Sequence, residues 1–208
     1  MKTVILPASD PQALAQALTI LQTGGLVAFP TDTVYGVGAS AFDAEAVRSI
    51  YAVKERPIEK SIPLLIADPD DLEKVSPEVS PLAFKLAACF WPGALTLVVT
   101  KHPRLPEAVS ATATIGVRIP DHPVARALLR AAGPLAVTSA NLSGQPSPSS
   151  AGEVLIQLGG RIALIIDGGR APGGVPSTVV DCTEALARTL REGPITIAMI
   201  QSCLQGNP

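Results

Sequence analysis

The 208-residue chain is 47% hydrophobic and 16% charged, so it has the apolar mass for one large or two small domains and is unlike a disordered chain. Its formal charge of −2 offers no global attraction to nucleic acid, and any anion site must come from a local cluster of Lys and Arg. Aromatics are only 3%, which leaves the core to Leu, Ile, Val and Ala and provides few stacking platforms for RNA bases.

Residues 3–6 read as a short strand, and Asp10-Pro11 opens a helix, with the aspartate as N-cap and the proline at the first helical position. Leu14, Leu18 and Leu21 keep helical spacing until Gly24-Gly25 closes it. The apolar run 26–29 is a strand that Pro30 must end, because proline has no N–H for a ladder. Thr31-Asp32-Thr33-Val34-Tyr35 is then expected to expose two hydroxyls, a carboxylate and a phenol on a turn carrying Gly36 and Gly38. Open α/β sheets place ligands at such polar loops, although a plain polar turn accounts for the same residues.

Asp43 caps a second helix with Val47, Ile50 and Tyr51 on its apolar face; it delivers Lys54, Glu55 and Arg56 at its end and stops by Pro57. A strand 62–66 and a short helix 68–75 come next. A helix then runs from Ser80-Pro81 to about Phe90, where Trp91-Pro92-Gly93 terminates it. Strands 94–100 and 114–119 flank a proline-containing connection, and helix signals resume from His122-Pro123 to Ala132. An apolar strand 134–138 feeds Ser139-Ala140-Asn141, a Pro/Ser-rich loop covers 145–150, and a helix spans 151–158. Strand 162–166 runs into a Gly/Pro loop 167–176; residues 178–181 and 187–191 read as a strand pair, with a final helix from Thr196. Strands and helices alternate without a linker or composition break, which predicts one α/β domain over residues 1–208 with a twisted mixed sheet.

Several cations and hydroxyls in this pattern are candidates for chemistry. Lys54 and Arg56, at a helix exit, either converge on one anion or oppose the helix dipole as solvated cations. Arg118 lies in an apolar strand whose alternation sets it opposite Val117, beside Thr114 and Gly116. So placed it needs an anion, either a ligand or a neighbouring carboxylate. Arg191 carries a similar choice at a strand end. Ser139 and Asn141 either face the same crevice as the 31–35 loop or serve as turn residues. The glycine-rich run 167–178 lacks a Gly-Lys-Ser/Thr ending and leads into a strand, so it is no Walker loop; a Gly-x-Ser-x-Gly elbow is also missing. Cys89, Cys182 and Cys203, odd in number and far apart, predict a reducing compartment rather than a disulfide framework or zinc site. With no apolar run of about 18 residues and no basic-then-apolar N-terminus, a cytoplasmic protein with no membrane partner is expected.

In chain order, Pro-Thr-Asp-Thr-Val-Tyr-Gly at 30–36, Lys54-x-Arg56-Pro57, Trp91-Pro92-Gly93-x-Leu95-Thr96, Val117-Arg118-x-Pro120, Ser139-Ala140-Asn141-x-Ser143-Gly144, Pro176-Ser177-Thr178-Val179-Val180-Asp181 and Arg191-x-Gly193 make a specific set. Over residues 10–195 the sequence resembles the YrdC/TsaC family of threonylcarbamoyl-AMP synthases. The resemblance implies a YrdC-like sheet around a cationic cleft. It also implies a nucleotidyltransferase that joins L-threonine, bicarbonate and ATP, with Mg²⁺, into L-threonylcarbamoyl-AMP and pyrophosphate. The product would pass to a transferase complex that makes threonylcarbamoyladenosine in tRNA, with weak RNA binding allowed. Thr33, Arg118, Ser177 and the backbone around Val137 would hold threonine. Lys54, Arg56, Lys60, Thr114, Ser139, Asn141, Ser147 and Arg191 would contact ATP, with Lys54 and Arg56 neutralising charge where the two anions meet. No residue is expected as an essential general base, and no metal ligand is assigned. Leu65 replaces a histidine of some relatives and Lys60 an asparagine, and a chain ending at Pro208 would lack the extra C-terminal domain of longer members. A non-catalytic RNA-binding module using the same cleft is the competing reading.

Overall fold

The computed structural model describes residues 2–172 and 175–206; Gly173 and Gly174 of the glycine-rich run, and residues 1, 207 and 208, lie outside it. In order, the elements are β1 (Val4–Pro7), α1 (Pro11–Gln22), β2 (Val27–Phe29), β3 (Gly36–Ser40), α2 (Ala44–Lys54) and β4 (Leu64–Leu65). After a 3-10 turn (Pro69–Asp71) come α3 (Leu72–Val75), α4 (Pro81–Phe90), β5 (Leu95–Thr100), β6 (Thr114–Arg118), α5 (Pro123–Ala132) and β7 (Leu135–Ser139). The chain closes with α6 (Ala151–Leu158), β8 (Leu164–Asp167), β9 (Thr178–Asp181), β10 (Arg188–Arg191) and α7 (Ile197–Gln205). Side chains of Asp10, Asp43, Ser80, Ser150 and Thr196 accept backbone N–H groups at helix starts, and so satisfy donors that a helix leaves unpaired.

The strands form one mixed sheet of ten, in the order β1-β8-β2-β3-β7-β4-β6-β5-β9-β10. Four pairs are parallel (β1 with β8, β2 with β8, β4 with β6, β5 with β9) and the others antiparallel, of which β3 with β7 and β5 with β6 run longest. Each face carries its own core. On one, α2, α3, α4, α6 and α7 pack Ile50, Leu72, Leu86, Val154 and Ile200 against Val37, Leu64, Leu97 and Val117. On the other, α1 and α5 set Leu21, Leu128 and Leu129 against Val27, Phe29, Leu65 and Val137.

Three local expectations are corrected. Gly36 and Gly38 are not turn residues: they lie in β3, between β2 and β7. Their absent side chains serve close packing, because a Cβ at Gly36 would stand 2.7 Å from Val137 Cγ1. The strand at 62–66 shrinks to Leu64–Leu65, since Pro63 has no N–H to give and Ile62 N instead bonds Val109 O at 2.8 Å. Cys89 of α4 and Cys203 of α7 form a disulfide across 114 residues of chain, with Cα atoms 6.5 Å apart. Distance along the chain said nothing about distance in space, so the inference of a reducing compartment loses its basis. Cys182 is free and buried, and burial pushes its thiol up to about 12. Among the described residues no helix is long and apolar enough to cross a membrane.

Unfolded without reductant, the chain should titrate one thiol, and after reduction all of its 3 cysteines. Replacing Cys89 with Ser should lower the Tm by about 10–20 °C, as expected for opening a loop of this length.

Candidate functional site

A cavity of about 400 Å³ adjoins the second core, sharing Leu65 and Val137 with it. Alternate residues of neighbouring strands form its floor: Thr96 and Val98 on β5, Gly116 and Arg118 on β6, Val137 and Ser139 on β7. Gly116 keeps this floor low, since a Cβ there would meet Thr96 Cγ2 at 3.0 Å and Pro63 Cβ at 3.4 Å.

The turn between β2 and β3 forms one wall. Thr31 organises it: its Oγ1 donates to Val34 O at 2.6 Å and lies 3.2 and 3.3 Å from the amides of Thr33 and Val34. With that proton spent, the 3.0 Å contact between the Thr31 and Thr33 hydroxyls makes Thr33 the donor. Thr33 Oγ1 then faces its other neighbours as an acceptor. Tyr35, expected to be exposed, is fully buried. Its OH donates to Gly169 O at 2.6 Å and receives Gly168 N at 3.3 Å, so the phenol pins the loop after β8 rather than meeting a ligand. Burial and the nearby Asp167 carboxylate push it up to about 12.

Arg118, at the end of β6, is 6% exposed and meets the neighbouring carboxylate of the two anions that its position called for, while still facing the cavity. It lines the cavity, and its Nη2 pairs with Asp32 Oδ1 at 2.6 Å. Nε donates to Gly93 O at 2.8 Å, beside the cis Trp91–Pro92 peptide, and Nη1 to Thr33 Oγ1 at 3.1 Å. Burial pulls the guanidinium pKa down while Asp32 holds it up. Arg191 approaches from the outermost strand, where an irregularity between Thr189 and Arg191 in the β9–β10 ladder redirects it. Its Nε and Nη2 donate to Ser177 O at 3.1 and 2.9 Å; burial and the Arg118 charge lower its pKa. Ser177 Oγ lies 2.8 Å from Thr96 Oγ1.

Lys54 and Arg56 part company where α2 ends. Glu55 takes a left-handed conformation (φ 53°), and Arg56 then turns to the cavity wall, donating from Nη2 to Ser61 O at 2.9 Å and from Nε to Lys60 O at 3.2 Å. Lys54 goes inward instead: 1% exposed, its Nζ bonds the carbonyls of Ser139 and Asn141. Burial and the Arg56 charge bring it down to about 7. A neutral amine has two N–H groups, one for each carbonyl.

Of the residues singled out from sequence, Thr33, Arg56, Arg118, Val137, Ser139, Ser147, Ser177 and Arg191 line this one cavity. Lys54, Lys60, Thr114 and Asn141 are not on its described wall. Lys60 is exposed, Thr114 stands at the far end of the β5–β6 ladder opposite Thr100, and Asn141 gives its Nδ2 to Leu142 O and Gln145 O. Asn141 Oδ1 is buried without a hydrogen-bond partner among the described residues. Sequence reasoning gives Thr96 no role in the site and expects Asp32 only as an exposed carboxylate of the turn. Alternation along 94–100 could have put Thr96 on the floor, but nothing local marked Asp32 as the partner of Arg118.

Residues 19–193 match the Sua5/YciO/YrdC family, described as "Telomere recombination". The chain belongs to this family. Among Sua5/YciO/YrdC relatives, it is 39% identical to a "Putative threonylcarbamoyl-AMP synthase" of Mycobacterium tuberculosis, across 95% of this chain and 92% of that one. It is 44% identical to the Bacillus subtilis "Threonylcarbamoyl-AMP synthase" across 96% of this chain, but spans only 58% of that protein. Its fold superposes on P. abyssi Sua5 complexed with L-threonine with a TM-score of 0.93 at 39% identity, covering 97% of this chain and 61% of that one.

Replacing Lys54 with Met should cost about 2–4 kcal/mol, because two buried carbonyls lose their donor. With the folded pKa near 7 and the ordinary lysine value of 10.5 in the unfolded chain, the unfolded chain holds the proton that the folded one has shed. Lys54 therefore adds stability as pH rises through that window and withdraws it as pH falls. Denaturant titrations between pH 7 and 10 should show this rise in wild type and its loss in Lys54→Met.

Proposed function

We propose that the chain synthesises L-threonylcarbamoyl-AMP from L-threonine, bicarbonate and MgATP, releasing pyrophosphate. One observation carries this reading. Arg56, Arg118 and Arg191 surround one cavity whose described lining includes no carboxylate side chain, so its wall favours substrates bearing several negative charges. The names of the family relatives, and the threonine bound to P. abyssi Sua5, support the choice among such substrates.

Arg118 takes the amino-acid carboxylate, and Thr33 Oγ1, its proton given to Thr31, offers a lone pair to the amine. Val137 and Ser177 close that subsite. Arg56, Ser139, Ser147 and Arg191 face the nucleotide. The threonine nitrogen adds to bicarbonate with loss of water, giving a carbamate. A carbamate oxygen then bonds to the α-phosphorus of ATP, and the bond from that phosphorus to the bridging oxygen breaks, so pyrophosphate leaves with the electron pair. Both reactants are anionic, and Arg56 offsets the charge that builds where they meet. Holding them in line could contribute on the order of 7–11 kcal/mol.

Magnesium would enter with ATP as part of the nucleotide substrate, held by its phosphates. Lys54 acts indirectly, holding the Ser139–Asn141 backbone in place. The product would pass to a tRNA-modifying transferase, and a cytoplasmic location, where ATP and tRNA meet, goes with that role. A purely RNA-binding function draws no support from a net charge of −2.

Pyrophosphate release should require both L-threonine and bicarbonate; release indifferent to threonine, or tight salt-sensitive RNA binding without release, would refute the reading. Arg56→Ala should reduce turnover roughly 100-fold or more in a folded protein. In Thr33→Val the KM for threonine should rise about tenfold while that for ATP holds, a difference read from initial rates with each substrate varied in turn.

A further inference from the structure

The amino-acid subsite depends on a carboxylate that does not line it. Asp32 is absent from the cavity wall, yet its Oδ1 lies 2.6 Å from Arg118 Nη2, with the two side chains 15% and 8% exposed. We propose that Asp32 is a positioning residue, which fixes the plane of the Arg118 guanidinium so that its remaining N–H groups meet the carboxylate of an α-amino acid in a preformed geometry. The proposal rests on the reading that Arg118 binds that carboxylate.

Three contacts, one at each guanidinium nitrogen, determine the orientation: Gly93 O on Nε, Thr33 Oγ1 on Nη1 and Asp32 on Nη2. A guanidinium has five N–H groups, so one remains on each terminal nitrogen. Gly93 O and Thr33 Oγ1 are neutral and hold the group only by direction. Asp32 alone among the three supplies charge, and the site has a particular need of it: Arg118 is buried, and its charge is near enough to Arg191 to lower that residue's pKa. Without its anion Arg118 would be a desolvated cation facing a second one, and the balance of forces would turn it away. The turn that Thr31 closes by bonding Val34 O keeps Asp32 in place, so the carboxylate is set by backbone rather than by the substrate. Because it touches Arg118 and not the cavity, its effect should fall on threonine and spare ATP.

The test is steady-state pyrophosphate release with each substrate varied in Asp32→Ala, Asp32→Asn and Arg118→Gln. In Asp32→Ala the threonine KM should rise about tenfold or more, with the ATP KM within twofold and kcat within about threefold. Asp32→Asn keeps an acceptor beside Nη2 but removes the charge, so its threonine KM should stay well above that of wild type and below that of Asp32→Ala. A purely structural role would lower the active fraction, and hence kcat, without separating the two KM values. An unchanged threonine KM in folded Asp32→Ala, or equal rises for threonine and ATP, would overturn the proposal. Should Asp32→Ala fail to fold, Asp32→Glu decides by the same criterion, since it moves the carboxylate by one methylene. Arg118→Gln separates the two levels. If it abolishes threonine saturation while Asp32→Ala does nothing, only the positioning role falls; if it leaves the threonine KM unchanged, the subsite reading falls and takes the proposal with it.

Discussion

A guanidinium nearly sealed from water has to be met by oxygen, and in this protein that requirement binds together segments far apart in sequence. Arg118, at the end of β6, draws Asp32 and Thr33 from the β2–β3 turn and the Gly93 carbonyl from the corner after α4. The corner is held a second time, since Gly93 N donates to Ile119 O at 2.8 Å. Each acceptor offsets part of the cost of burying the cation, and losing one would leave the others holding a poorly compensated charge. The conditions for folding and for an organised cavity therefore coincide at one side chain.

Around that point the sheet divides its two faces unequally. One carries a core packed beneath five helices, whereas the other is covered by α1 and α5 only beside the second core. The cavity lies next to that cover, its floor kept low at Gly36 and Gly116, where side chains would collide with Val137 and Thr96. Room for a ligand thus comes from omitted atoms as much as from placed ones. The loops at the rim are joined to one another: Tyr35 N donates to Pro148 O, its phenol holds Gly168 and Gly169, and Ala171 N reaches Ser149 O.

Much of the fold was legible because its signals are local. Asp10, Asp43, Ser80 and Thr196 start helices as capping residues do, and alternation along β6 set Arg118 on the face opposite Val117, which is the cavity face. The misreadings share a cause, which is that a residue type does not reveal its surroundings. Tyr35 belongs to a polar turn by sequence, yet its ring fills the core. Lys54 and Arg56 look alike on paper, but the left-handed residue between them sends one inward and the other to the cavity. Gly36 signals a turn in isolation and a crowded strand in context. The pairing of Asp32 with Arg118, like that of Cys89 with Cys203, arises only when distant parts of the chain meet.

One arm of the site is carried by the sheet's margin. Arg191 belongs to β10, which pairs on one side only and is exposed along most of its length. Backbone groups on such a strand open at far lower free energy than those at the sheet's centre, so amide exchange should be fastest there and slow progressively through β9 and β5. Ser177, clasped by Arg191, lies on the inner side of that gradient. Peeling of the outermost ribbon would therefore loosen the Arg191 side of the cavity while the Arg118 anchor stays shut, giving the two ends different lifetimes without any hinge between domains.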